Sequence, residues 1–419
     1  MDRLIIRGGK RLEGSVQIRG AKNAVLPQIA AALLSSAPLE ITNVPDVSDV
    51  TTMLALLQEF GVATQRDARS VTIDASKAAN NVARYDLVRK MRAGILVLGP
   101  LVARFGSARV SLPGGCAIGA RPVDLHLKVL EALGATVGVE GGYINAKVSE
   151  GKLKGGRIVL PLPSIGATET ALMAATLAHG ETEILNTARE PEIADLALCL
   201  VAMGAKIEGA GTHRMLVQGV DNLRRASHHL LPDRIEAGTY AIAAAITGGH
   251  LELLDARLEH LATVGAALER AGVQIWPTDR GLMISRSGRL SAVDIVTEPY
   301  PGFPTDLQAQ FMALMTIASG ASVIRETVFE SRFMHVPELG RLGANISLQG
   351  STALVRGVET LRAAEVMATD LRASVGLVLA ALVADGETAV HRIYHLDRGY
   401  EALDRKLVQC GADISRISE

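Results

Sequence analysis

The sequence predicts an α/β protein of two domains, built from six copies of one unit of about 70 residues. Three observations support this prediction. A glycine that ends a helix and precedes a short strand recurs six times, an Ala-rich helix recurs with the same period, and 419 residues are more than one hydrophobic core holds. A fixed period of this kind is the signature of a repeated supersecondary unit.

The recurring glycine marks the end of one amphipathic helix in each unit. Helices commonly end in a left-handed residue, which glycine adopts without a Cβ penalty, before the chain turns into the next strand. The six positions, 68 to 73 residues apart, are Gly61, Gly134, Gly204, Gly272, Gly343 and Gly411.

The second recurring helix is apolar nearly all round, as expected of a helix that is buried on every side. The unit is therefore a strand, a buried helix, a strand, an amphipathic helix and a hairpin of strands (βαβαββ). The predicted buried helices span residues 24–34, 93–103, 169–178, 237–246, 307–318 and 371–383.

The units group into two domains because single cores stop growing near ~250–300 residues. Residues 221–232 form a polar connector in which His228 and His229 should be solvated. The N-terminal strands should complete the sixth unit, which we predict to have no strand beyond Ile414. These expectations place the domains at residues 1–20 plus 230–419 and at residues 21–229.

The composition argues against several classes of protein. Aromatic residues make up 3% of the chain and the net charge is −1, so neither base stacking nor a basic nucleic-acid surface is expected. No apolar run reaches the ~18 residues that span a bilayer. The ten histidines show no metal-ligand spacing, and the three cysteines form no disulfide framework. We predict a soluble, reduced, cytoplasmic protein with no metal, no cofactor, no nucleic acid and no membrane partner.

The most unusual segment, residues 113–122, has three glycines and two prolines around Cys116. Such a loop can be neither helix interior nor central strand. The permanent cation of Arg121 can lower the pKa of the thiol and make it reactive. The alternative is a small buried hydrophobe, which is the interpretation we favour for Cys199 and Cys410.

Unusual polar residues stand at the starts of the predicted buried helices. Helix N-termini carry unpaired amides and a positive potential, so an added Lys or Arg makes sense where an anion compensates. The alternative for each is a solvated surface cation. The residues are Lys22, Asn23, Arg92, Ser164, Ile165, Gly166, Asp306 and Arg372.

A Pro-rich turn leads to Asp306, which is either a simple helix cap or a functional carboxylate. Arg332 and Arg398 stand in connections that should face the helix starts. The chain has no P-loop and no dinucleotide-binding glycine motif, so phosphates would be held by arginines, Lys22 and helix ends. This many cations suits substrates with several anionic groups, with a cysteine and an aspartate to move protons.

Six repeated α/β units in two domains resemble the enolpyruvyl transferases, from residue 4 to about residue 416. The motifs that carry the resemblance are GAKN at 20–23, LPGGC at 112–116, GARPVDLH at 119–126, PDRIE at 232–236, PGFPTD at 301–306 and DLRA at 370–373. The resemblance implies the fold called the inside-out α/β barrel.

The resemblance also implies transfer of the enolpyruvyl group of phosphoenolpyruvate to the 3-hydroxyl of UDP-N-acetylglucosamine, by addition and then elimination of phosphate, in peptidoglycan precursor synthesis. Asp306 would be the base for that hydroxyl or would aid elimination. Cys116 would protonate the enol carbon or form a covalent phosphoenolpyruvate adduct. We expect a monomer or a weak homo-oligomer.

The implied roles fall into three sets. The catalytic set is Cys116, Asp306, Lys22 and Arg398. The phosphoenolpyruvate contacts are Lys22, Asn23, Arg121, Arg332, Arg372 and Arg398, with Lys22, Arg121 and Arg398 on the phosphate and Arg332 and Arg372 on the carboxylate. The UDP-N-acetylglucosamine contacts are Asn23, Arg92, Arg121, Pro122, Val123, Asp124, Leu125, Leu162, Ser164, Ile165, Gly166, Asp306 and Val328.

One departure from the family pattern concerns the nucleotide sugar. Many members have Lys two residues before the Ser-x-Gly of residues 164–166, where this chain has Leu162, so a diphosphate contact stays open. Two alternatives also stay open. One is a transferase for another hydroxyl acceptor, although the Cys116 loop argues against the shikimate substrate of a related enzyme. The other is a catalytically silent UDP-sugar-binding paralogue, which would need neither Cys116 nor Asp306.

Overall fold

The structure, a computed structural model, describes residues 2–114, 123–149 and 151–418. The strands in these ranges are β1 Arg3–Arg7, β2 Glu13–Gln17, β3 Leu39–Thr42, β4 Ala63–Asp67, β5 Ser70–Asp74, β6 Val82–Ala83, β7 Ser107–Ser111, β8 Ala135–Glu140, β9 Tyr143–Val148, β10 Arg157–Val159, β11 Glu181–Leu185, β12 Lys206–Glu208, β13 Arg214–Gln218, β14 Ala226–His229, β15 His250–Leu254, β16 Gln274–Thr278, β17 Gly281–Ser285, β18 Ile295–Val296, β19 Ala321–Arg325, β20 Asn345–Gln349, β21 Thr352–Arg356, β22 Glu365–Met367, β23 Glu387–His391 and β24 Asp413–Ile417.

The α-helices in the same ranges are α1 Lys22–Ala31, α2 Ser48–Glu59, α3 Tyr85–Val88, α4 Leu98–Phe105, α5 Asp124–Ala132, α6 Ile165–Thr176, α7 Pro191–Met203, α8 Arg234–Thr247, α9 Ala262–Arg270, α10 Gln308–Met315, α11 Val336–Arg341, α12 Ala373–Ala381 and α13 Leu403–Gln409. Short 3-10 helices span Ala32–Leu34, Arg92–Val97, Leu258–His260, Thr305–Leu307 and Ile393–Arg398.

The described strands form six sheets of four strands each. In every sheet one edge strand pairs in parallel with its neighbour, and the other pairs are antiparallel. The strand orders are β14-β3-β5-β4, β6-β7-β9-β8, β10-β11-β13-β12, β16-β17-β15-β2, β18-β19-β21-β20 and β22-β23-β1-β24. The predicted α/β fold with six repeated units is confirmed.

The described residues divide into two compact units. Unit I holds the chain up to Arg19 and from Pro232 onward, and unit II holds the chain from Gly20 to Leu231. Each unit contains three of the six sheets and its own apolar core.

The six recurring glycines end the amphipathic helices as predicted. Their φ angles lie between 86° and 110°, the left-handed region in which a side chain would be strained. The left-handed φ is required by the local turn at the end of each helix, so the sequence pattern was sufficient to locate these glycines.

The predicted apolar helices form the interior of each unit, with the sheets outside, which confirms the inside-out arrangement. In unit I, α8, α10 and α12 pack against one another, and every residue of each is buried. In unit II, α4 packs against α6, and the helix predicted at residues 93–103 is 3-10 over its first part, Arg92–Val97.

The prediction for the N-terminal strands is half right. β1 joins the sixth sheet, between β23 and β24, as expected. β2 does not: it pairs in parallel with β15 in the fourth unit's sheet, with Val16 opposite Leu253. As predicted, no further strand begins after Ile414 in the described residues; β24, which contains Ile414, runs to Ile417. Alternating apolar residues show that a strand has one buried face, but not which sheet edge receives it.

The polar connector, residues 221–232, contains a strand, β14. β14 pairs in parallel with β3, and it supplies the first unit with the edge strand that β2 does not provide. His228 is not solvated as predicted: its Nε2 lies 3.0 Å from Asp195 Oδ1, and Asp195 Oδ2 accepts a hydrogen bond from Gln28 at 2.6 Å. A polar sequence can form an edge strand when its partly buried side chains, such as His228, find polar partners on neighbouring elements.

None of the helices in the described ranges has the length and hydropathy that crossing a bilayer requires.

Candidate active site

Asp306 stands in the short 3-10 helix Thr305–Leu307, just before α10. In this described segment neither that turn nor α10 has a side-chain cap, so Asp306 is not a simple helix cap. Its carboxylate faces two guanidinium groups instead. Arg332 Nη2 donates to Oδ1 at 2.7 Å, and Arg372 Nε lies 3.4 Å from Oδ2.

Three separate elements of unit I bring these groups together. Arg332 lies in the turns before α11, and Arg372 precedes α12, whose first turn is capped by Asp370 Oδ1 at 2.9 Å from the Ala373 amide. The two arginine side chains are buried at 5% and 3% exposure, whereas that of Asp306 is 24% exposed. The carboxylate therefore offers an accessible edge between two buried cations.

The electrostatics of Asp306 are set by these neighbours. Burial alone would raise the pKa of Asp306, but the charges of Arg332 and Arg372 and the Arg332 hydrogen bond hold that pKa well below its usual range. Arg234, at the start of α8, acts in the same direction. A carboxylate of such low pKa is ionised but weakly basic, so it needs to lose some of this pairing before it can take a proton.

A polar chain fixes the position of Arg332. Its Nη1 donates to Thr305 Oγ1 at 3.0 Å, and that hydroxyl donates to Glu326 Oε2 at 2.8 Å. Glu326 Oε1 accepts from the amide of Val328 at 2.8 Å. Val328, a predicted nucleotide-sugar contact, is thus tied to the same turn that carries Asp306.

Arg372 keeps a donor that the described residues do not satisfy. Its Nη1 donates to Gly399 O at 3.3 Å, but the buried Nη2 has no hydrogen-bond acceptor among the described residues. A buried donor without an acceptor is costly, and an anionic ligand would remove that cost. The two guanidinium groups that pair with Asp306, together with this unsatisfied donor of Arg372, form a site suited to a small carboxylate.

Arg398 is the one predicted residue of unit I not yet placed, and His335 is a buried residue close to Arg332 in the chain. Arg398 ends the 3-10 helix Ile393–Arg398 and is partly buried. His335, three positions after Arg332, is fully buried, and neither ring nitrogen has a hydrogen-bond partner among the described residues. Burial lowers the pKa of His335 to about 4, so the ring is neutral at pH 7.

In unit II, Lys22 is the first residue of α1 and is buried at 7% exposure. Its Nζ lies 2.8 Å from Asp49 Oδ2, in the first turn of α2, and Asn23 beside it is partly buried. Removing one member of such a buried pair leaves an uncompensated charge. Asp49 could not be singled out from the sequence, because an acidic residue in a first helical turn is an ordinary complement to the helix dipole.

The start of α6 is the best-defined predicted nucleotide-sugar segment. Ser164 Oγ caps the helix by accepting from the Ala167 amide at 3.4 Å, and Ile165 and Gly166 open the helix. A Cβ added at Gly166 would lie 2.9 Å from His126 Cε1, and His126 Nδ1 is 2.8 Å from Thr170 Oγ1. Gly166 is therefore needed for the close approach of a fixed imidazole ring.

The other predicted contacts are spread over several elements of unit II. Leu162 is 55% exposed, ahead of α6, so an apolar side chain reaches solvent at this position. Val123, Asp124 and Leu125 form the start of α5, and Arg92 opens the 3-10 helix Arg92–Val97. Cys116, Arg121 and Pro122 lie outside the described residues.

The two other cysteines behave as predicted. Cys199 and Cys410 are buried free thiols, and burial raises the pKa of each. A thiol with a raised pKa is a poor nucleophile at neutral pH. Among the described residues, no group of three or more His, Cys, Asp or Glu side chains is placed to hold a metal ion.

Comparison with known proteins gives full-length matches. The chain is 68% identical over 418 residues to "UDP-N-acetylglucosamine 1-carboxyvinyltransferase 2" of Mesorhizobium japonicum, and the match covers 100% of both chains. It is 58% identical over 420 residues to UDP-N-acetylglucosamine 1-carboxyvinyltransferase of Granulibacter bethesdensis, again covering 100% of both.

Solved structures agree on the fold. The enolpyruvyl transferase NikO from Streptomyces tendae matches with a TM-score of 0.89 at 28% identity, covering 100% of this chain and 99% of that one. EPSP synthase from Acinetobacter baumannii matches with a TM-score of 0.78 at 19% identity over 100% of both chains. The family model described as EPSP synthase (3-phosphoshikimate 1-carboxyvinyltransferase) matches residues 6–407. The chain therefore belongs to the EPSP synthase family of enolpyruvyl transferases.

Proposed function

We propose that the protein transfers the enolpyruvyl group of phosphoenolpyruvate to the 3-hydroxyl of UDP-N-acetylglucosamine and releases phosphate. The observation that carries the proposal is the pairing of Asp306 with Arg332 and Arg372, which joins a carboxylate that can act on a hydroxyl to cations that suit an anionic substrate. The names of the full-length relatives give the acceptor, UDP-N-acetylglucosamine, and the carboxyvinyl group that they transfer.

The reaction is an addition followed by an elimination. A C–O bond forms between the sugar oxygen and C2 of phosphoenolpyruvate while C3 gains a proton, which gives a tetrahedral adduct. The C–O bond to phosphate then breaks and C3 loses a proton. Asp306 takes the hydroxyl proton or assists the elimination, and Cys116 protonates C3 or forms a covalent adduct with phosphoenolpyruvate.

Binding roles follow from charge and position. Arg332 and Arg372 hold the carboxylate of phosphoenolpyruvate, and they are already aimed at a carboxylate, that of Asp306. The phosphate is held by Lys22, Arg121 and Arg398, and Asn23 also contacts phosphoenolpyruvate. The nucleotide sugar contacts Asn23, Arg92, the segment 121–125, Leu162, the segment 164–166, Asp306 and Val328.

We further propose that units I and II are the two domains of the enzyme, divided near residues 20 and 230. The proposed enzyme acts in the cytoplasm, in peptidoglycan precursor synthesis, as a monomer or weak homo-oligomer.

Phosphate release from phosphoenolpyruvate tests the proposal. Release should occur when UDP-N-acetylglucosamine is present and stop when it is omitted. Release with another hydroxyl acceptor, such as shikimate 3-phosphate, and not with the nucleotide sugar would mean a different acceptor. Binding of the nucleotide sugar without any release would mean a catalytically silent protein.

A further inference from the structure

Tyr400 is buried at 2% exposure, beside the arginine and carboxylate cluster, and none of the roles above includes it. Its hydroxyl lies 3.0 Å from Thr239 Oγ1 and 3.1 Å from Gln310 Nε2. Thr239 belongs to α8 and Gln310 to α10, so one phenolic hydroxyl connects two of the central helices of unit I with the segment that follows Arg398.

The direction of each hydrogen bond follows from the donors available. Thr239 Oγ1 donates its own proton to Ile235 O at 2.8 Å, so toward Tyr400 it can only accept. Tyr400 therefore donates to Thr239, and burial raises its pKa, so it keeps that proton at neutral pH. Gln310 donates to the lone pair that remains on the phenolic oxygen.

Gln310 also holds the backbone of the site. Its Nε2 donates to Asp306 O at 2.9 Å, and because a carbonyl only accepts, the orientation of the amide is determined. The side chain is fully buried. One amide thus fixes both the turn that carries Asp306 and the hydroxyl of Tyr400.

The aromatic ring of Tyr400 completes the arrangement. The guanidinium carbon of Arg372 lies 5.2 Å from the ring centroid, within the range of a cation–π contact. Arg372 Nη1 donates to Gly399 O, the carbonyl immediately before Tyr400, at 3.3 Å. The segment 399–400 therefore supports Arg372, while Gln310 supports Asp306.

We propose that Tyr400, locked by Thr239 and Gln310, is a positioning residue that fixes the guanidinium of Arg372 relative to the carboxylate of Asp306. The inference rests on the proposed function, in which Arg372 binds the carboxylate of phosphoenolpyruvate. An arginine side chain has large rotamer freedom, and holding it in place beforehand avoids losing that freedom on binding. Tyr400 therefore acts on phosphoenolpyruvate through Arg372 and leaves the nucleotide sugar unaffected.

Tyr400→Phe tests this role, since it removes the hydroxyl and keeps the ring. We expect KM for phosphoenolpyruvate to rise about tenfold and kcat to fall several-fold, while the dissociation constant of UDP-N-acetylglucosamine stays within about twofold of the native value. The matched control is Tyr240→Phe. Tyr240 is also fully buried, on the same helix as Thr239, but its hydroxyl has no hydrogen-bond partner among the described residues. This control should keep native kinetics.

A second variant tests the network as a unit. Gln310→Met should raise KM for phosphoenolpyruvate as Tyr400→Phe does, and the double variant should be no worse than the more impaired single variant, because both changes break one network. Independent, multiplying effects would overturn the proposal. So would native kinetics in Tyr400→Phe, or an equal loss of affinity for both substrates.

Phosphate release by the native protein distinguishes failure of this inference from failure of the proposed function. If the native chain releases no phosphate with both substrates, the proposed function fails and the positioning role with it. If the native chain turns over and Tyr400→Phe is indistinguishable from it, the positioning role alone fails. Thermal unfolding of each variant shows whether a loss of activity comes from loss of fold instead; a Tyr400→Phe protein that is folded and has lost affinity for phosphoenolpyruvate alone supports the role.

Discussion

Replacing Asp306 with Asn preserves the shape of the side chain and removes its charge. In the structure this charge is shared by Arg332 at 2.7 Å and Arg372 at 3.4 Å, the two arginines proposed to bind the carboxylate of phosphoenolpyruvate. Asp306 therefore competes with the substrate for the same donors. Asp306→Asn should bind phosphoenolpyruvate more tightly than the native protein, although it is catalytically impaired.

The size of the effect follows from the contacts that are lost. A hydrogen bond to a charged group contributes ~1.5–3 kcal/mol, and substrate binding has to displace at least one from Asp306. Removing that competition is worth about 1.5 kcal/mol, or roughly tenfold in the dissociation constant. Loss of a proton-transfer group lowers kcat by about 100-fold or more. UDP-N-acetylglucosamine affinity should change by less than about threefold, because its main contacts lie elsewhere.

Calorimetric titration of phosphoenolpyruvate, in the presence of the nucleotide sugar, gives the binding constant, and phosphate release gives kcat. Glu252→Gln is the control, since it removes a carboxylate paired with Arg280 on an outer sheet of the same unit. It should leave both quantities unchanged. Weaker binding of phosphoenolpyruvate in Asp306→Asn, or a kcat near the native value, would refute the reasoning.

Three further predictions concern other parts of the chain. Cys116→Ser should abolish rapid alkylation by an epoxide phosphonate, as read by mass spectrometry, and labelling at another cysteine would contradict the assignment. Gly166→Ala should push against the ring of His126 and weaken UDP-N-acetylglucosamine binding about tenfold by calorimetry, and unchanged affinity would show that the ring can move freely. His335 has its pKa lowered from 6.5 to about 4 by burial, so the unfolded chain binds its proton first as the pH falls. Stability should therefore drop between pH 6.5 and 4, by about 3 kcal/mol from this group; His335→Gln should flatten urea-unfolding free energies over that window, and an equally steep dependence in the variant would contradict the account.

The sequence by itself determined the repeated unit and which helices form the interior of each domain. Gly134 and Gly272 mark helix ends because a left-handed φ is a local requirement that few other residues meet. The Ala-rich apolar segments identify the central helices because burial on all sides leaves no polar face. The sequence also singled out Asp306 and Arg372, at the starts of predicted buried helices, and Arg332, in a connection expected to face them.

Only the tertiary structure decided how these pieces pair. The exchange of β2 and β14 between sheets could not be predicted, because a strand's alternation is the same whichever edge receives it. Asp49, Gln310 and Tyr400 carried no signal, since an acid, an amide and a phenol have many ordinary uses in a protein. Their importance comes from contacts between residues far apart in the chain, such as Tyr400 with Thr239, and such contacts exist only once the helices have packed.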